Sequence, residues 1–434
     1  MIRFIHAADL HLDSLMKGIR SERAGIDPAV FRLSTRKALE NLVGWAIDEK
    51  VDFVTLGGDN YDADWKDYGT GLFFTRQMAR LAEAGIPVVS ITGNHDAANR
   101  ITRSLRLPDS FKMLSVDEPQ TVEPIDGVRV VGQGFRTAAE KRNLVVDYPV
   151  NEGGGIVIGL LHTSLAGGTR DGHDNYAPCD FADLRSRRYH FWGLGHIHKH
   201  GWMHESGDVP VLYPGNPQGR HIGETGAKGA WLIELDEDGA MTDARFRPLD
   251  EARWELFRID VSAMGRVDEC LSTIESELAR SVREAAHRPI AARIQLIGRS
   301  AIHKHLRLMA ERAEDQLLAE CQNVANQAFG DQVWVETVEL RSAAPPSASP
   351  SSEAMRVLND FVDKSAASAA WIAEFQASPE ISRLRRQADY FETLDEHKTL
   401  TELFDIETIL DLVREIPEVL EARLHDTLGE TEEA

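Results

Sequence analysis

The chain has 434 residues, 42% hydrophobic and 27% charged, ordinary globular proportions at a length that calls for more than one hydrophobic core. A formal net charge of −22 excludes a histone-like protein that coats nucleic acid. Much of that charge is terminal, with 20 Asp/Glu against 8 Lys/Arg from Glu353 onward. No apolar run approaches the ~20 residues of a membrane helix. Met1 leads straight into a strand-like IRFIHAA without a cleavage site. Cys179, Cys270 and Cys321 are too scattered for a disulfide framework or a redox motif. A soluble, cytoplasmic protein without a membrane partner is expected.

In chain order, Ile2–Ala8 predicts a strand that closes on Asp9-Leu10-His11-Leu12-Asp13. In an extended chain, that spacing points Asp9 and His11 to the same side. Ser34–Glu49 has helical period, with Leu39, Leu42, Val43 and Ala46 on one face. It leads into Val51–Leu56, an apolar, β-branched run suited to a strand buried on both faces. That run ends in Gly57-Gly58 and delivers Asp59. A second helix, Gly71–Ala84, precedes the strand Ile86–Ile91, which empties into Gly93-Asn94-His95-Asp96.

Further apolar runs follow at Val128–Val131, at Ile156–Leu161 before His162, and at Tyr189–Leu194 before Gly195-His196-Ile197-His198. Strands at Val209–Tyr213, Ala230–Leu235 and Ala244–Arg247 are separated by Gly, Pro, Asn and Asp turns. From about Arg253 a β-α-β-α-β block is expected: Leu256–Val261, Val267–Ala286, Ile290–Ile297, Ser300–Asn326 and Val333–Leu340, with Ser300 as the N-cap of its second helix. Ser342–Ser352 has linker composition, and Glu353–Ala434 reads as an acidic helical tail. The expected organisation is a domain over 1–250, a second over 251–341, a linker over 342–352 and a tail over 353–434.

The predicted strand ends present Asp9, His11, Asp59, Asn94, His95, His162, His196 and His198. In open α/β sheets, ligands bind outside the carboxyl ends of the strands. Mixed nitrogen and oxygen donors, no thiolate and a carboxylate able to bridge suit a pair of Mn²⁺, Fe²⁺ or Zn²⁺ ions. Two such ions ~3.5–4 Å apart clamp the attacking and leaving oxygens of an in-line phosphoryl displacement, in which an activated water is the nucleophile. Asp59 is the expected bridge. A lone Gly-Asp is usually a turn and a lone His-x-His usually a polar edge, but five such pieces at the ends of apolar runs point to one site.

Other residues carry less. Gly223–Lys228 lacks P-loop spacing and reads as a glycine-rich turn. His173-Asp174 lines the cleft or belongs to a solvated loop, and His200 is peripheral. Arg299, His303, Lys304, His305 and Arg307 form either a DNA-facing patch or a solvated helix face.

The order D-x-H, G-D, G-N-H-D, H and G-H-x-H resembles that of the calcineurin-like metallophosphoesterases, most of all their DNA repair exonuclease branch (SbcD-like and YhaO-like). Leu10, Leu12-Asp13, Tyr61-Asp62 and Tyr213-Pro214-Gly215-Asn216-Pro217-Gln218 share in the resemblance. It implies an α/β fold, a β-sandwich flanked by helices in four αββα layers, then a small α+β capping domain and the helical tail. It implies Asp9, His11, Asp59 and His198 at a first metal and Asp59, Asn94, His162 and His196 at a second, with Mn²⁺ the first choice and Fe²⁺ or Zn²⁺ the alternatives. His95 is then the general acid or transition-state stabiliser, and Asp96 orients its imidazole.

No arginine flanks these motifs: Thr92 precedes Gly93, and Asn60-Tyr61-Asp62 follows Asp59. Without a bidentate clamp for a monoester dianion, a diester is the better substrate. The expected activity is that of a Mn-dependent DNA exonuclease, or exo/endonuclease, acting on DNA ends in repair. The alternatives are a small-molecule phosphodiesterase or nucleotidase on the same metals, and a DNA-end-binding scaffold subunit. The resemblance also implies a homodimer and an SbcC-like coiled-coil ATPase partner. For that partner the linker and tail are either a tethered docking element or a segment packed on its own cap.

Overall fold

The computed structural model describes residues 1–14, 33–62, 68–98, 106–165, 175–203, 208–286, 288–311 and 315–345, together with Val357, Asp360–Val362, Lys364 and Trp371. His173-Asp174, the linker beyond 345 and the rest of the acidic tail lie outside the described residues.

The chain opens with β1 (Ile2–Ala7), α1 (Ser34–Glu49), β2 (Phe53–Leu56), α2 (Tyr68–Glu83), β3 (Val88–Ser90), α3 (Asn94–Ala98) and β4 (Phe111–Met113). β1 to β4 lie side by side and parallel. α1 buries Ala38, Leu39, Leu42, Val43 and Ala46, the face its apolar period predicts, and ends at a left-handed Lys50 whose N–H donates to the Ala46 and Ile47 carbonyls. Next come β5 (Gln120–Ile125), β6 (Val128–Gly132), β7 (Ile156–His162), α4 (Phe181–Ser186), β8 (Phe191–Gly195), β9 (Gly201–Trp202) and β10 (Val211–Tyr213). These strands form a second sheet of order β5-β6-β7-β8-β10-β9. Its interior strands are parallel and its edge strands β5 and β9 antiparallel. The chain then returns to the first sheet through β11 (Gly229–Leu235), antiparallel to β1, and β12 (Met241–Pro248).

The two mixed sheets share a core. Phe4, Phe53, Val89 and Ile91 of the first meet Val130, Ile158, Leu160, Phe191 and Leu212 of the second. Phe4 stacks on Phe53 at 4.9 Å and meets the edge of Phe191 at 5.4 Å. The outer face of the first sheet is covered by Leu39 and Leu42 of α1 and Phe74, Met78 and Leu81 of α2. The outer face of the second is covered by Leu144, Val145, Tyr148 and Leu184. Strands buried on both faces explain the unbroken apolar runs at β2 and β7. Because β1, β2 and β3 are parallel, as are β7 and β8, each set delivers its following residues to one edge.

β13 (Arg253–Asp260), α5 (Val267–Glu284), β14 (Ile290–Arg299), α6 (His303–Ala310), α7 (Gln316–Phe329) and β15 (Val333–Ala343) follow, with a sheet of order β13-β14-β15 whose first pair is parallel. The single helix expected over Ser300–Asn326 is two. Asp315 starts α7 afresh, its side chain accepting the Leu318 N–H at 3.2 Å. Ser300 precedes α6 by a turn, its hydroxyl accepting the Ile302 N–H, and so caps no long helix.

Two compact units emerge, one of Met1–Gly298 with His305–Arg341, the other of Arg299–Lys304 with the described residues from Ser342 on. In the second, the Ser300 N–H donates to the Ala343 carbonyl at 2.9 Å. No helix among the described residues is long and apolar enough to cross a membrane.

Candidate metal centre

Asp9, His11, Asp59 and His196 follow β1, β2 and β8 directly, and each has positive φ: 54°, 40°, 51° and 98°. Such a backbone costs of order 1–3 kcal/mol per non-glycine residue, and an ordinary turn relieves it with glycine. The extended spacing expected for Asp9 and His11 is therefore replaced by left-handed turns. The turns of β1 and β2 are pinned together: Asp9 N–H donates to the Gly58 carbonyl at 2.9 Å and His11 N–H to the Asp59 carbonyl at 3.0 Å. The edge of the second sheet joins them, since the His196 N–H donates to both Asp9 carboxylate oxygens at 3.1 and 3.0 Å. Gly93 completes the packing, because a Cβ there would overlap the Asp59 carboxylate and the His162 ring.

Asp59 is 2% exposed and lies at the middle of the constellation. Its Oδ1 accepts the His95 N–H at 2.9 Å. Its Oδ2 lies 3.4 Å from His162 Nε2 and 3.9 Å from His11 Nε2, so one oxygen stands between two imidazoles carried by different sheets. On one side, His11 Nε2 faces His198 Nε2 at 3.2 Å, and His198 Nε2 lies 3.8 Å from Asp9 Oδ1. On the other, His162 donates from Nδ1 to the Gly57 carbonyl at 2.9 Å, which turns Nε2 inward, 3.1 Å from Asn94 Oδ1. Three clusters result, Asp9 with His11 and His198, Asp9 with Asp59 and His162, and His11 with Asp59 and His95, each with ligand atoms within 4.8 Å of one another. His196 sits one ring farther out, its centroid 5.3 Å from that of His162.

The electrostatics suit cations. Burial pushes Asp9 up to about 7, with the Asp59 carboxylate adding to it. Burial pushes His11 down to about 4 and His198 well below the usual imidazole value, so both present neutral nitrogen. Burial also pulls on His162, but the Asp59 carboxylate outweighs it and raises the imidazole to about 9. Burial likewise pushes on Asp59, yet the His162, His95 and His11 rings hold it well below the carboxylate range. In each cluster carboxylate oxygens and imidazole nitrogens converge within reach of one ion, the donor set of a cation site. The two facing Nε2 atoms of His11 and His198, with the Asp9 and Asp59 carboxylates around them, fit divalent ions with mixed N/O ligands.

His95 lies beside the first cluster, its ring 4.7 Å from that of His11. The carboxylate next to it is not Asp96. Asp96 instead accepts the backbone N–H groups of Gly93, Asn60 and Tyr61, at 3.2, 3.2 and 3.0 Å, and so holds two strand-end turns together. Its place in the first turn of α3 aims it at that backbone. Asp62 Oδ1 lies 2.8 Å from His95 Nδ1, in ion-pair range but off the angle of a well-formed hydrogen bond. Burial pulls His95 down, but the Asp62 contact outweighs it and raises the imidazole above its usual value.

Three more residues reach the site without having been expected there. Glu224, from the supposed glycine-rich turn, is 5% exposed and lies 2.6 Å from His198 Nδ1. Arg220 donates to Glu224 from Nη2 at 3.0 Å, with its Nη1 4.0 Å from Asp62. Lys228 donates to the His198 carbonyl at 3.0 Å. An arginine is thus present after all, brought by a distant turn. Asp62 carried a signal, standing three residues past Asp59; Glu224 and Arg220 carried none. His200 is peripheral, stacked on Phe246 at 4.3 Å.

Residues 2–200 match the family model described as calcineurin-like phosphoesterase, and residues 254–343 match that of the metallophosphoesterase YhaO middle domain. The chain is 32% identical over 302 residues to the uncharacterized metallophosphoesterase YhaO of Bacillus subtilis (strain 168), covering 68% of this chain and 72% of the relative. The DNA double-strand break repair protein Mre11 of Methanopyrus kandleri is 22% identical over 313 residues, covering 65% of this chain and 62% of the relative. Its namesake from Saccharolobus solfataricus is 23% identical over 256 residues, with 55% and 61% covered. The match thus spans less than two thirds of either Mre11 protein. Among solved structures, a dimetal phosphatase from Danio rerio is 16% identical with a TM-score of 0.35, covering 57% of this chain and 96% of that one. A protein from Thermus thermophilus is 14% identical with a TM-score of 0.34, covering 57% and 99%.

Proposed function

The chain belongs to the calcineurin-like metallophosphoesterases, in their YhaO family, and from that we propose a Mn-dependent nuclease that hydrolyses phosphodiester bonds at DNA ends. The observation that carries the hydrolytic reading is the single oxygen of Asp59 set between His11 and His162. In this reading Asp9, His11, Asp59 and His198 hold one ion and Asp59, Asn94, His162 and His196 the other. The pair, when bound, supplies Lewis acidity to the phosphate and to the attacking water.

The chain's own residues do the rest. Asp62 holds His95 through Nδ1 and favours its imidazolium, and the other ring nitrogen, Nε2, gives its proton to the departing oxygen. Asp96 keeps the turns of Asp59 and Gly93 in register. The guanidinium of Arg220 faces Glu224 through Nε and Nη2, so its fork is engaged within the protein. Arg220 therefore offers no bidentate clamp for a monoester dianion, which favours a diester. The Mre11 similarity is what directs the diester reading towards DNA ends. The partners that follow are DNA, a second copy of the chain and a coiled-coil ATPase, with residues 251–341 as a cap.

The test is Mn²⁺-loaded protein on end-labelled linear and closed-circular DNA beside a panel of cyclic nucleotides and dinucleotides. Linear DNA should be degraded from its ends. Turnover of the small diesters alone overturns the DNA reading and leaves a small-molecule phosphodiesterase. Replacing His95→Asn should keep both metals and lower turnover by about 10²–10⁴-fold; undiminished turnover removes His95 from the mechanism.

A further inference from the structure

We propose that Glu224 is a positioning residue of the first metal position, fixing His198 as the tautomer whose Nε2 lone pair faces the centre. The inference rests on the two-metal reading above and adds to it the Asn216–Lys228 turn.

An ionised carboxylate can only accept, so the 2.6 Å contact between Glu224 Oε1 and His198 Nδ1 places the ring proton on Nδ1. Nε2 then carries the ring's lone pair, and it is the atom found 3.2 Å from His11 Nε2 and 3.8 Å from Asp9 Oδ1. The proton on the far nitrogen, held by a carboxylate, both orients a ligating imidazole and raises its basicity. His198 is fixed from a second direction by Lys228, whose ammonium donates to its carbonyl.

Glu224 is itself held tightly. Its Oε2 accepts from Asn216 Nδ2 at 2.8 Å and from the Arg220 N–H at 2.7 Å, and its Oε1 accepts from Arg220 Nη2 at 3.0 Å. The guanidinium also approaches His198 Nδ1, at 3.2 Å, but two donors cannot satisfy each other and the shorter carboxylate contact sets the proton. Gln218 anchors the turn, donating to the Ala252 carbonyl at 2.7 Å and accepting the Glu251 N–H at 2.8 Å. A carboxylate that served only to pair Arg220 and hold the turn has no need of the imidazole. The contact with His198 is what such a role leaves unexplained.

The experiment takes the full chain, metal-free, through a Mn²⁺ titration followed by calorimetry and by the electron paramagnetic resonance of free Mn²⁺. The unaltered protein should bind in two steps. Glu224→Gln, which keeps size and, with its amide oxygen in the Oε2 position, the bonds from Asn216 Nδ2 and the Arg220 N–H, should weaken one step by about 10–100-fold and leave the other in place. In the His198→Ala background the same replacement should add nothing, since Glu224 acts through that ring. Selective ¹⁵N-histidine NMR of the unaltered metal-free protein needs no variant and should report protonated Nδ1 at His198. Failure of the unaltered protein to bind two ions defeats the two-metal reading, and with it this inference. Two intact steps unchanged by Glu224→Gln, additive effects with His198→Ala, or a proton on His198 Nε2 overturn the role of Glu224 alone.

Discussion

Gly93→Ala is the sharpest single test of how closely the site is packed. Gly93 does not have positive φ, so its backbone accepts alanine and any effect is steric. The added Cβ would run into Asp59 Oδ1, its nearest neighbour, and would stand 2.7 Å from His162 Cε1 and 2.8 Å from Asp59 Cγ, where ordinary contact begins near 3.4 Å. The Asp59 carboxylate and the His162 ring must therefore give way by at least about 0.6–0.7 Å, the carboxylate oxygen by more. Overpacking of this size costs about 1–3 kcal/mol of stability. A misplacement approaching 1 Å costs about 10²-fold in rate, well beyond what that loss of stability does to a protein that is still folded. The assay is kcat/KM on a chromogenic phosphodiester with saturating Mn²⁺, alongside the thermal midpoint and the bound-metal stoichiometry. We expect a roughly 10²-fold drop in kcat/KM with a folded protein. A folded Gly93→Ala protein with the parent's kcat/KM and metal content would falsify the placement of Asp59 and His162 at the reacting centre.

Two predictions concern stability. Asp250 is buried, with Arg253 Nε at 2.8 Å and Arg288 Nε at 3.3 Å. Asp250→Asn leaves the buried Arg253 without its counter-charge and should cost about 3–5 kcal/mol, read from the urea midpoint of the metal-free protein; a change under about 0.5 kcal/mol, the usual range of a surface substitution, contradicts the pairing. His6 is sealed between the sheets, with Nε2 2.9 Å from the Leu194 carbonyl and Nδ1 3.0 Å from Thr55 Oγ1, and burial pushes it down to about 4. A lowered imidazole pKa means that the unfolded chain takes up its proton first. The His6 contribution is therefore whole above pH ~6.5 and is lost as pH falls from there towards 4, by about 3 kcal/mol in all. His6→Gln should flatten that part of the stability–pH curve, and an unchanged slope refutes the assignment.

The fully buried strands were legible because burial on both faces leaves a local record, whereas the largely exposed β4 and β5 and the two-residue β9 were not expected. The apolar runs before Asp59 and His162 coincide with β2 and β7, and the α1 face is the one its period predicts. The ends of strands are equally local, which is why Asp9, Asp59, Asn94, His162 and the His196/His198 pair could be read as one set. The break between α6 and α7 escaped because an N-cap at Asp315 overrides a helical period that runs on through it.

What the sequence determined by itself was therefore the family, together with a list of candidate donors. Only the tertiary structure decided which atoms meet. Asp62 rather than Asp96 stands at His95, and Glu224 stands at His198 from 26 residues away. Such pairs depend on how turns at the sheet edge face one another, and no periodicity along the chain encodes the distance between two turns. The positive φ at Asp9, His11 and Asp59 has the same origin, because contacts between turns distant in sequence hold backbone conformations that local preference alone disfavours.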